Sequence, residues 1–413
     1  MNIIDDLNQR GIIYQCTNID ELKKKTQGKI CLYAGFDPTA ESLHLGNLFI
    51  IVTLRRFQLA GHKVIALVGG GTGLIGDPSG KSEERQLNTE EVVQMWSEKI
   101  KTQLQRFLDF DSENKAILEN NYNWLQKEKL ISFLRDIGKH FSINEMLDKE
   151  SVKSRLQTGI SYTEFSYMLL QAYDYLNLYQ KHSCILQIGG SDQWGNITAG
   201  TDLIRKKLGE QAYGLTLPLI TKSDGTKFGK SEGGAIWLDK EKTIPYHFYQ
   251  FWINTDDRDV IKLLKYYTFL SLEEIEKLEN ELKTNPEKRI AQKTLAKLVT
   301  EYVHGKDIAQ QVERISTALF GEGMNNLQEK DFIEIAKIIP TINIHENESL
   351  EDVLVKSNLA SSKRQAREFI TNKAVSINGK TSSDKTIDKS MTIYNKYLLL
   401  RRGKKNYALA ILK

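Results

Sequence analysis

What most constrains the fold of this chain is a repeated change of hydrophobic period, from short apolar runs to helical spacing and back. Lys29-Ile30-Cys31-Leu32-Tyr33-Ala34-Gly35-Phe36 reads as a buried strand that stops at the turn residues Asp37-Pro38. From Asn47 to Ala60 the apolar residues fall at helical spacing, and the pattern stops at Gly61. Lys63 to Val68 is again β-rich, and a glycine-rich loop then leads to a helix opened by Thr89-Glu90-Glu91. Strands alternating with helices predict parallel strands joined by crossovers, hence an α/β domain. Cys184 to Ile188 and Leu215 to Ile220 continue the alternation, with helical patterns at 163–177 and 192–208, so this domain is expected over 1–240. From Pro245 to about 337 the pattern is helical, which predicts a helical domain over 241–340. Past a short polar stretch, a helix near 361–372 and β-rich runs at 374–377, 397–400 and 407–412 predict a small α+β domain over 341–413.

A chain of 413 residues is long for one core, in keeping with several domains. Hydrophobic and charged contents of 40% and 27% are those of a soluble globular protein, and no apolar run approaches the roughly 18 residues of a membrane span. Met1 to Asp6 has neither a basic segment nor an apolar one of the kind that directs export, so a cytoplasmic protein with no membrane partner is expected. Cys16, Cys31 and Cys184 are odd in number and widely spaced, which argues against a disulfide framework and against a structural metal site. Charge is unevenly spread: Lys356 to Lys413 carries 14 Lys and Arg against 3 acids, while the rest of the chain has 43 against 50. A basic tail follows an acidic body.

Two glycine motifs invite nucleotide readings that their surroundings weaken. Gly71-Thr72-Gly73-Leu74-Ile75-Gly76 matches the dinucleotide fingerprint, yet Asp77-Pro78-Ser79-Gly80 interrupts the helix that should follow, and no strand-ending acid comes about 20 residues later. Gly80-Lys81-Ser82 imitates a Walker loop, but that motif needs glycine at position 75, where Ile75 stands.

A different constellation fits better. Ligands of doubly wound sheets bind at the carboxyl ends of strands, and Tyr33 and Asp37 bracket such an end. His44 and Asn47 stand at the mouth of the next helix, where free backbone amides and the helix dipole favour phosphate. Asp224 to Gly234 places Lys227 and Lys230 in a loop rich in Gly, Ser and Thr, suited to neutralising a departing pyrophosphate. Tyr167, Gln171 and Asp174 lie at i, i+4 and i+7 of one expected helix and so share a face.

His44-Leu45-Gly46-Asn47 and Lys227-Phe228-Gly229-Lys230-Ser231 resemble the two signatures of class I aminoacyl-tRNA synthetases. Gly189-Gly190-Ser191-Asp192-Gln193-Trp194-Gly195-Asn196 resembles the ribose-binding segment of their tyrosyl and tryptophanyl branch, and the bacterial tyrosyl enzymes are similar over essentially the whole chain, including Tyr162 to Asp174. Asn47 stands where the broader class has a second histidine, and Phe228-Gly229 where it has Met-Ser.

The resemblance implies a Rossmann-like catalytic domain with a parallel sheet, followed by a helical anticodon-side domain and an RNA-binding domain. It implies that Tyr33 and Asp174 hold the substrate phenol, that Tyr167 and Gln171 bind the α-ammonium, and that Asp77 lies nearby. Thr39, His44, Lys81, Arg85, Lys227 and Lys230 would stabilise charge in catalysis. Asp37, Gly46, Asn47, Gly190, Asp192, Gln193, Lys230 and Ser231 would contact ATP, with Asp192 on the ribose. The implied activity is formation of tyrosyl-adenylate from L-tyrosine and ATP, then transfer to the 3' end of tRNA(Tyr). Mg2+ would accompany ATP, and the family is homodimeric. No insertion is large enough for an editing domain, which suits a pocket that must hydrogen-bond a hydroxyl; tyrosyl enzymes are themselves the reference case for that effect. The alternatives are a tryptophanyl-type enzyme and a non-catalytic RNA-binding protein on the same fold.

The tail segments Ser361 to Ile370 and Ala374 to Lys380 resemble a small RNA-binding domain found in a ribosomal small-subunit protein and in pseudouridine synthases. Lys363, Arg364 and Arg367 share one expected helix, positioned to meet an RNA phosphate track rather than DNA.

Overall fold

The computed structural model describes the whole chain except Ser82, Ser154, residues 156–158, Lys227, Glu232, Gly233, Gly321, Glu322, Lys404 and Lys405, with the backbone alone at Ser151, Lys230 and Ser231. The chain divides into two compact units, one made of Met1–Ile244 with Asn254–Leu295, the other of Pro245–Ile253 with Ala296–Lys413.

In the first unit the strands are β1 (Gln15–Cys16), β2 (Cys31–Phe36), β3 (Lys63–Val68), β4 (Ile117–Asn120), β5 (Cys184–Gly190) and β6 (Tyr213–Leu217), ordered β1-β6-β5-β2-β3-β4. All neighbours from β6 to β4 are parallel, and β1 pairs antiparallel on the edge. Central strands of such a sheet are buried on both faces, which is why residues 31–34 form an unbroken apolar run rather than an alternating one. The crossovers include α1 (Leu45–Leu59), α2 (Glu90–Phe107), α3 (Tyr162–His182) and α4 (Trp194–Leu208). On one face Tyr33, Ile65 and Cys184 share a core with Met168, Tyr175 and Leu203 of α3 and α4.

Boundaries moved for local reasons. α1 begins at Leu45 rather than Asn47 because His44 caps it. α3 outlasts the expected 177 and ends where Ser183 turns left-handed at φ 52°. The run at 215–220 is a strand only to Leu217, since Pro218 has no N–H for the ladder. β1 and β4, four residues or fewer, carry too little pattern to be read in advance. A hairpin of β7 (Lys230–Ser231) and β8 (Gly234–Ala235) follows, then helices α5 (Asp257–Tyr267) and α6 (Leu272–Thr284).

The second unit holds helices that include Pro245–Ile253, Lys306–Leu319 and Glu329–Ile338, and a sheet of β9 (Thr341–Ile344), β10 (Val375–Ile377), β11 (Lys380–Thr381), β12 (Tyr397–Arg402) and β13 (Asn406–Leu412) in the order β11-β10-β12-β13-β9, whereas α5 and α6, also within the stretch 241–340 expected to be one helical domain, belong to the first unit. Alternation along β12 sorts its side chains to two cores. Leu398 and Leu400 pack with Leu350, Val353 and Ala366 of the tail helices, whereas Tyr397 and Leu399 pack with Ile315, Phe332 and Ile335. Among the described residues no helix is long and apolar enough to cross a membrane.

Candidate active site

The chain leaves β2 toward β3 and β4 on one side and returns through β5 and β6 on the other, so the sheet order reverses between β2 and β5. This is the crevice where open α/β sheets bind ligands. Tyr33 and Gln187 are register partners across it. Tyr33 is 1% exposed, its ring 5.2 Å from that of Tyr175, and its hydroxyl has no hydrogen-bond partner among the described residues; the same holds for Oε1 of buried Gln187. Leaving such atoms unpaired costs about 1–3 kcal/mol each, and a ligand that supplies partners recovers it.

Asp174 faces this crevice from α3, 2% exposed. Its Oδ1 accepts from Trp124 Nε1 at 2.7 Å and its Oδ2 from Asn121 Nδ2 at 2.8 Å. Burial nevertheless outweighs these donors and pushes its pKa up to about 8. Asn121 Nδ2 also donates to Thr72 Oγ1 at 2.8 Å, and Thr72 Oγ1 donates to Asp37 Oδ1 at 2.8 Å. Tyr167, one helical face with Asp174, donates its hydroxyl proton to Asp37 Oδ2 at 2.6 Å. Burial raises Asp37 to about 6 against the pull of those two hydroxyls. The loop after β3 must press close to this network: a Cβ on Gly69 would lie 1.8 Å from Asp37 Oδ1. Two glycines of the motif that imitates a dinucleotide fingerprint, Gly73 and Gly76, line the cavity that Asp37 also lines. Gln171 lies half-buried on α3 between Tyr167 and Asp174.

At the end of β5, Gly190 leads into the turn Ser191–Gln193. Gln193 Nε2 donates to Asp77 Oδ2 at 2.6 Å, and Asn196 Nδ2 to Asp77 Oδ1 at 3.3 Å. Desolvation first, then the charge of Asp77, raises the pKa of Asp192. Asp37, Thr39, Lys81 and Arg85 line one cavity of about 360 Å³, and Arg85 Nε donates to the Asp77 carbonyl at 2.7 Å.

His44 caps α1: its Nδ1 accepts from Gly46 N at 3.1 Å, while Asn47 Oδ1 accepts from His44 N at 3.1 Å. A Cβ on Gly46 would meet His44 Cε1 at 2.9 Å, so glycine allows the ring to fold over the first turn. With Nδ1 accepting, the neutral ring carries its proton on Nε2. Leu45 N donates to Ile236 O at 3.2 Å and Leu238 N to Leu43 O at 2.9 Å, which stitches the chain after the β7–β8 hairpin to the His44 segment. Within that loop Ile236 N donates to Gly229 O at 3.0 Å. The structure thus brings the backbone of Lys230 and Ser231 into the segment paired with His44; their side chains and Lys227 lie outside what is described. Among the described residues no group of three or more His, Cys, Asp or Glu side chains converges as metal ligands do.

In the second unit, Lys363, Arg364 and Arg367 open the helix α7 (Lys363–Thr371), which follows the short helix Leu350–Lys356. Lys363 Nζ pairs with Asp352 at 2.6 Å and Arg367 Nε with Glu351 at 2.9 Å, both on the surface. Such exposed pairs are weak and screened by salt.

The family model for tRNA synthetases class I (W and Y) matches residues 24–321, and the model for the SYY-like C-terminal domain of tyrosine–tRNA ligase matches residues 331–410. Tyrosine–tRNA ligase 1 of Bacillus subtilis (strain 168) is 59% identical over 420 residues, covering 100% of both chains. The chain belongs to the tyrosyl-tRNA synthetases. The tyrosine–tRNA ligase of Geobacillus stearothermophilus is 56% identical over 416 residues, 99% of each chain. A solved C-terminally truncated mitochondrial tyrosyl-tRNA synthetase from Aspergillus nidulans superposes with a TM-score of 0.71 at 33% identity, covering 77% of this chain and 94% of its own. Full-length identity to tyrosine–tRNA ligases does not favour the tryptophanyl reading or that of a silent RNA-binding scaffold. For a tyrosyl-tRNA synthetase, sequence reasoning overlooked Thr72, Asn121, Trp124 and Asn196, all of which act on a carboxylate of the site from other elements. The only trace of Asn121 in the sequence is a polar pair, Asn120-Asn121, after the short run Ala116-Ile117-Leu118-Glu119.

Proposed function

We propose that this chain activates L-tyrosine with ATP and transfers it to tRNA(Tyr), with the groups of the β2–β5 crevice in the roles given below. A carboxylate oxygen of tyrosine attacks the α-phosphorus of ATP, the bond to the bridging oxygen breaks, and pyrophosphate leaves. A ribose hydroxyl at the 3' end of tRNA then attacks the tyrosyl carbonyl and releases AMP. Neither step needs a protein nucleophile, so catalysis is positioning and charge stabilisation. The observation that carries the tyrosine assignment is the unpartnered hydroxyl of Tyr33 at the crevice that Asp174 also faces: a phenol satisfies both. Tyr167, Gln171 and Asp77 take the ammonium group. Asp37, Gly46, Asn47, Gly190, Asp192, Gln193 and Ser231 contact ATP, and Thr39, His44, Lys81, Arg85, Lys227 and Lys230 meet the charge that grows on the phosphates. Mg2+ arrives with ATP, held by its phosphates.

The roles divide as catalysis over 1–240, an anticodon-side helical part over 241–340 and RNA binding over 341–413, a division of labour that differs from the two compact units. A cytoplasmic homodimer completes the reading. Leu130, Ile131 and Leu134 on one short helix are 70%, 75% and 43% exposed, an apolar surface suited to a second copy.

Tyrosine-dependent ATP–pyrophosphate exchange tests the activity: exchange is expected with tyrosine and not with tryptophan, and exchange with tryptophan alone would overturn the assignment. Charge reversal at Arg364, an exposed residue on α7, is expected to lower kcat/KM for tRNA charging about tenfold while leaving exchange unchanged, because it removes a phosphate contact and nothing in the adenylate site. Equal loss in both assays would argue against an RNA role for this helix face.

A further inference from the structure

We infer that Glu164 is a positioning residue of the ATP side of the reaction, holding the Glu83–Arg85 segment through a buried ion pair with Arg155. The inference rests on the reading above, in which that segment meets the phosphates.

Glu164 stands in the first turn of α3, capped by Ser161, whose Oγ accepts from Glu164 N at 3.2 Å. An acid at this place ordinarily folds back onto the capping residue's own N–H and stays in solvent. Here the side chain is 1% exposed and reaches a segment 79 residues earlier in the chain, where its Oε1 accepts from Arg85 N at 2.8 Å. Its Oε2 lies 3.1 Å from Nη2 of Arg155, which is 3% exposed. Arg155 Nη1 donates in turn to the Glu83 carbonyl at 3.1 Å. One buried pair therefore grips the same short segment at two backbone points, Glu83 O and Arg85 N. A helix cap needs neither contact.

The segment has reason to need them. Residues 83–88 lie in neither helix nor strand, so no ladder fixes the backbone that carries Arg85 into the cavity shared with Asp37, Thr39 and Lys81. The Arg85 side chain is tied at its far end by Nε to the Asp77 carbonyl at 2.7 Å, and Glu164 ties its backbone end. With both ends fixed, the aliphatic stem of Arg85 is held over Gly76, where a Cβ would come within 3.2 Å of Arg85 Cβ and Cδ. The same helix face continues one turn on to Tyr167, which holds Asp37. α3 thus carries the tyrosine-side groups and the anchor of the phosphate-side segment on one rigid element. Displacement of a positioning group by about 1 Å can cost on the order of 10²-fold in rate.

The test uses the full chain, with exchange kinetics, tyrosine binding by equilibrium dialysis, and backbone hydrogen exchange without substrates. In Glu164→Ala, kcat/KM for ATP is expected to fall about 10²-fold, while the Kd for tyrosine alone stays within about threefold, since no tyrosine contact is removed. Glu164→Gln keeps a carbonyl oxygen for Arg85 N and should recover at least about tenfold of that loss. The peptide over 83–88 should exchange faster in Glu164→Ala than in the wild type, with α3 beyond Tyr167 unchanged. ATP parameters equal to wild type, or tyrosine and ATP affinities lost in parallel with faster exchange everywhere, would overturn the inference. If Glu164→Ala does not fold, the double variant Arg155→Met, Glu164→Gln removes both charges together and leaves no lone buried ion. It should fold, bind tyrosine normally and raise KM for ATP about tenfold through the lost Glu83 anchor; an unchanged KM would overturn the inference. Absence of exchange in the wild type would instead refute the proposed activity, while the hydrogen-exchange comparison would still judge the anchor.

Discussion

Replacing His44 by Asn is expected to lower tyrosine-dependent ATP–pyrophosphate exchange by about 10²- to 10³-fold, the usual loss when one preorganised donor to transition-state charge is removed. The substitution separates two tasks of the same residue. As the cap of α1, His44 accepts from Gly46 N through Nδ1, and an asparagine carbonyl does this equally well, so stability should change by no more than a few tenths of a kcal/mol. What asparagine does not supply is the Nε2 proton at the reach of an imidazole. The loss should fall on kcat, with KM for ATP nearly unchanged, because the charge that His44 meets grows only as pyrophosphate departs. Thermal melting alongside exchange kinetics decides the matter. A variant that melts normally and exchanges within threefold of wild type would remove His44 from the catalytic set and leave it as a cap.

His44 also shows why parts of this site could be read from sequence and others could not. Its strand-turn-helix setting is local, spanning Lys29 to Ala60, and local period changes survive in a single sequence. The 167/171/174 face is likewise local, because three polar residues at helical spacing on one element need no knowledge of the fold. The parallel sheet followed from the alternation of such units. The carboxylate partners were different. Asn121 and Trp124 reach Asp174 from 53 and 50 residues away, Gln193 reaches Asp77 from 116, and Arg85 meets Glu164 across 79. Nothing in the neighbourhood of Asn121 marks it as a donor to a distant acid, since β4 is only four residues long and half-buried. Glu164 resembles a routine first-turn acid until the fold buries it. The glycines at 71–76 were legible as a motif whose surroundings spoke against a dinucleotide loop, whereas Gly69, just before them, carried no signal: closeness to the Asp37 carboxylate is what requires it. Pairings across the fold, and the burial that gives them energetic weight, are the part that local pattern does not encode.

Asp174→Ala is expected to weaken tyrosine binding about 10²-fold, within the range of roughly 1.5–3 kcal/mol for a hydrogen bond to a charged group, while ATP binding changes less than threefold. The same substitution should stabilise the unliganded protein at neutral to alkaline pH, and the sign follows from the pKa. Burial holds Asp174 at about 8 in the fold against an ordinary 3.8. Between those values the folded chain binds a proton that the unfolded chain has released, so stability falls as pH rises through the window, with a slope of at most about 1.4 kcal/mol per pH unit from this group. Removing the carboxyl removes that slope. Denaturant unfolding at pH 5, 6.5 and 8 should therefore show the variant gaining on the wild type as pH rises, against a constant cost for the unpaired donors of Asn121 and Trp124. Equal losses of tyrosine and ATP affinity would sink the assignment of Asp174 to the phenol, and a pH-independent difference in stability would sink the raised pKa. If both expectations hold, the carboxylate is a site at which the fold gives up stability for recognition: Asn121 and Trp124 are not enough to keep Asp174 ionised in the empty crevice, and the phenol of the substrate supplies the missing donor.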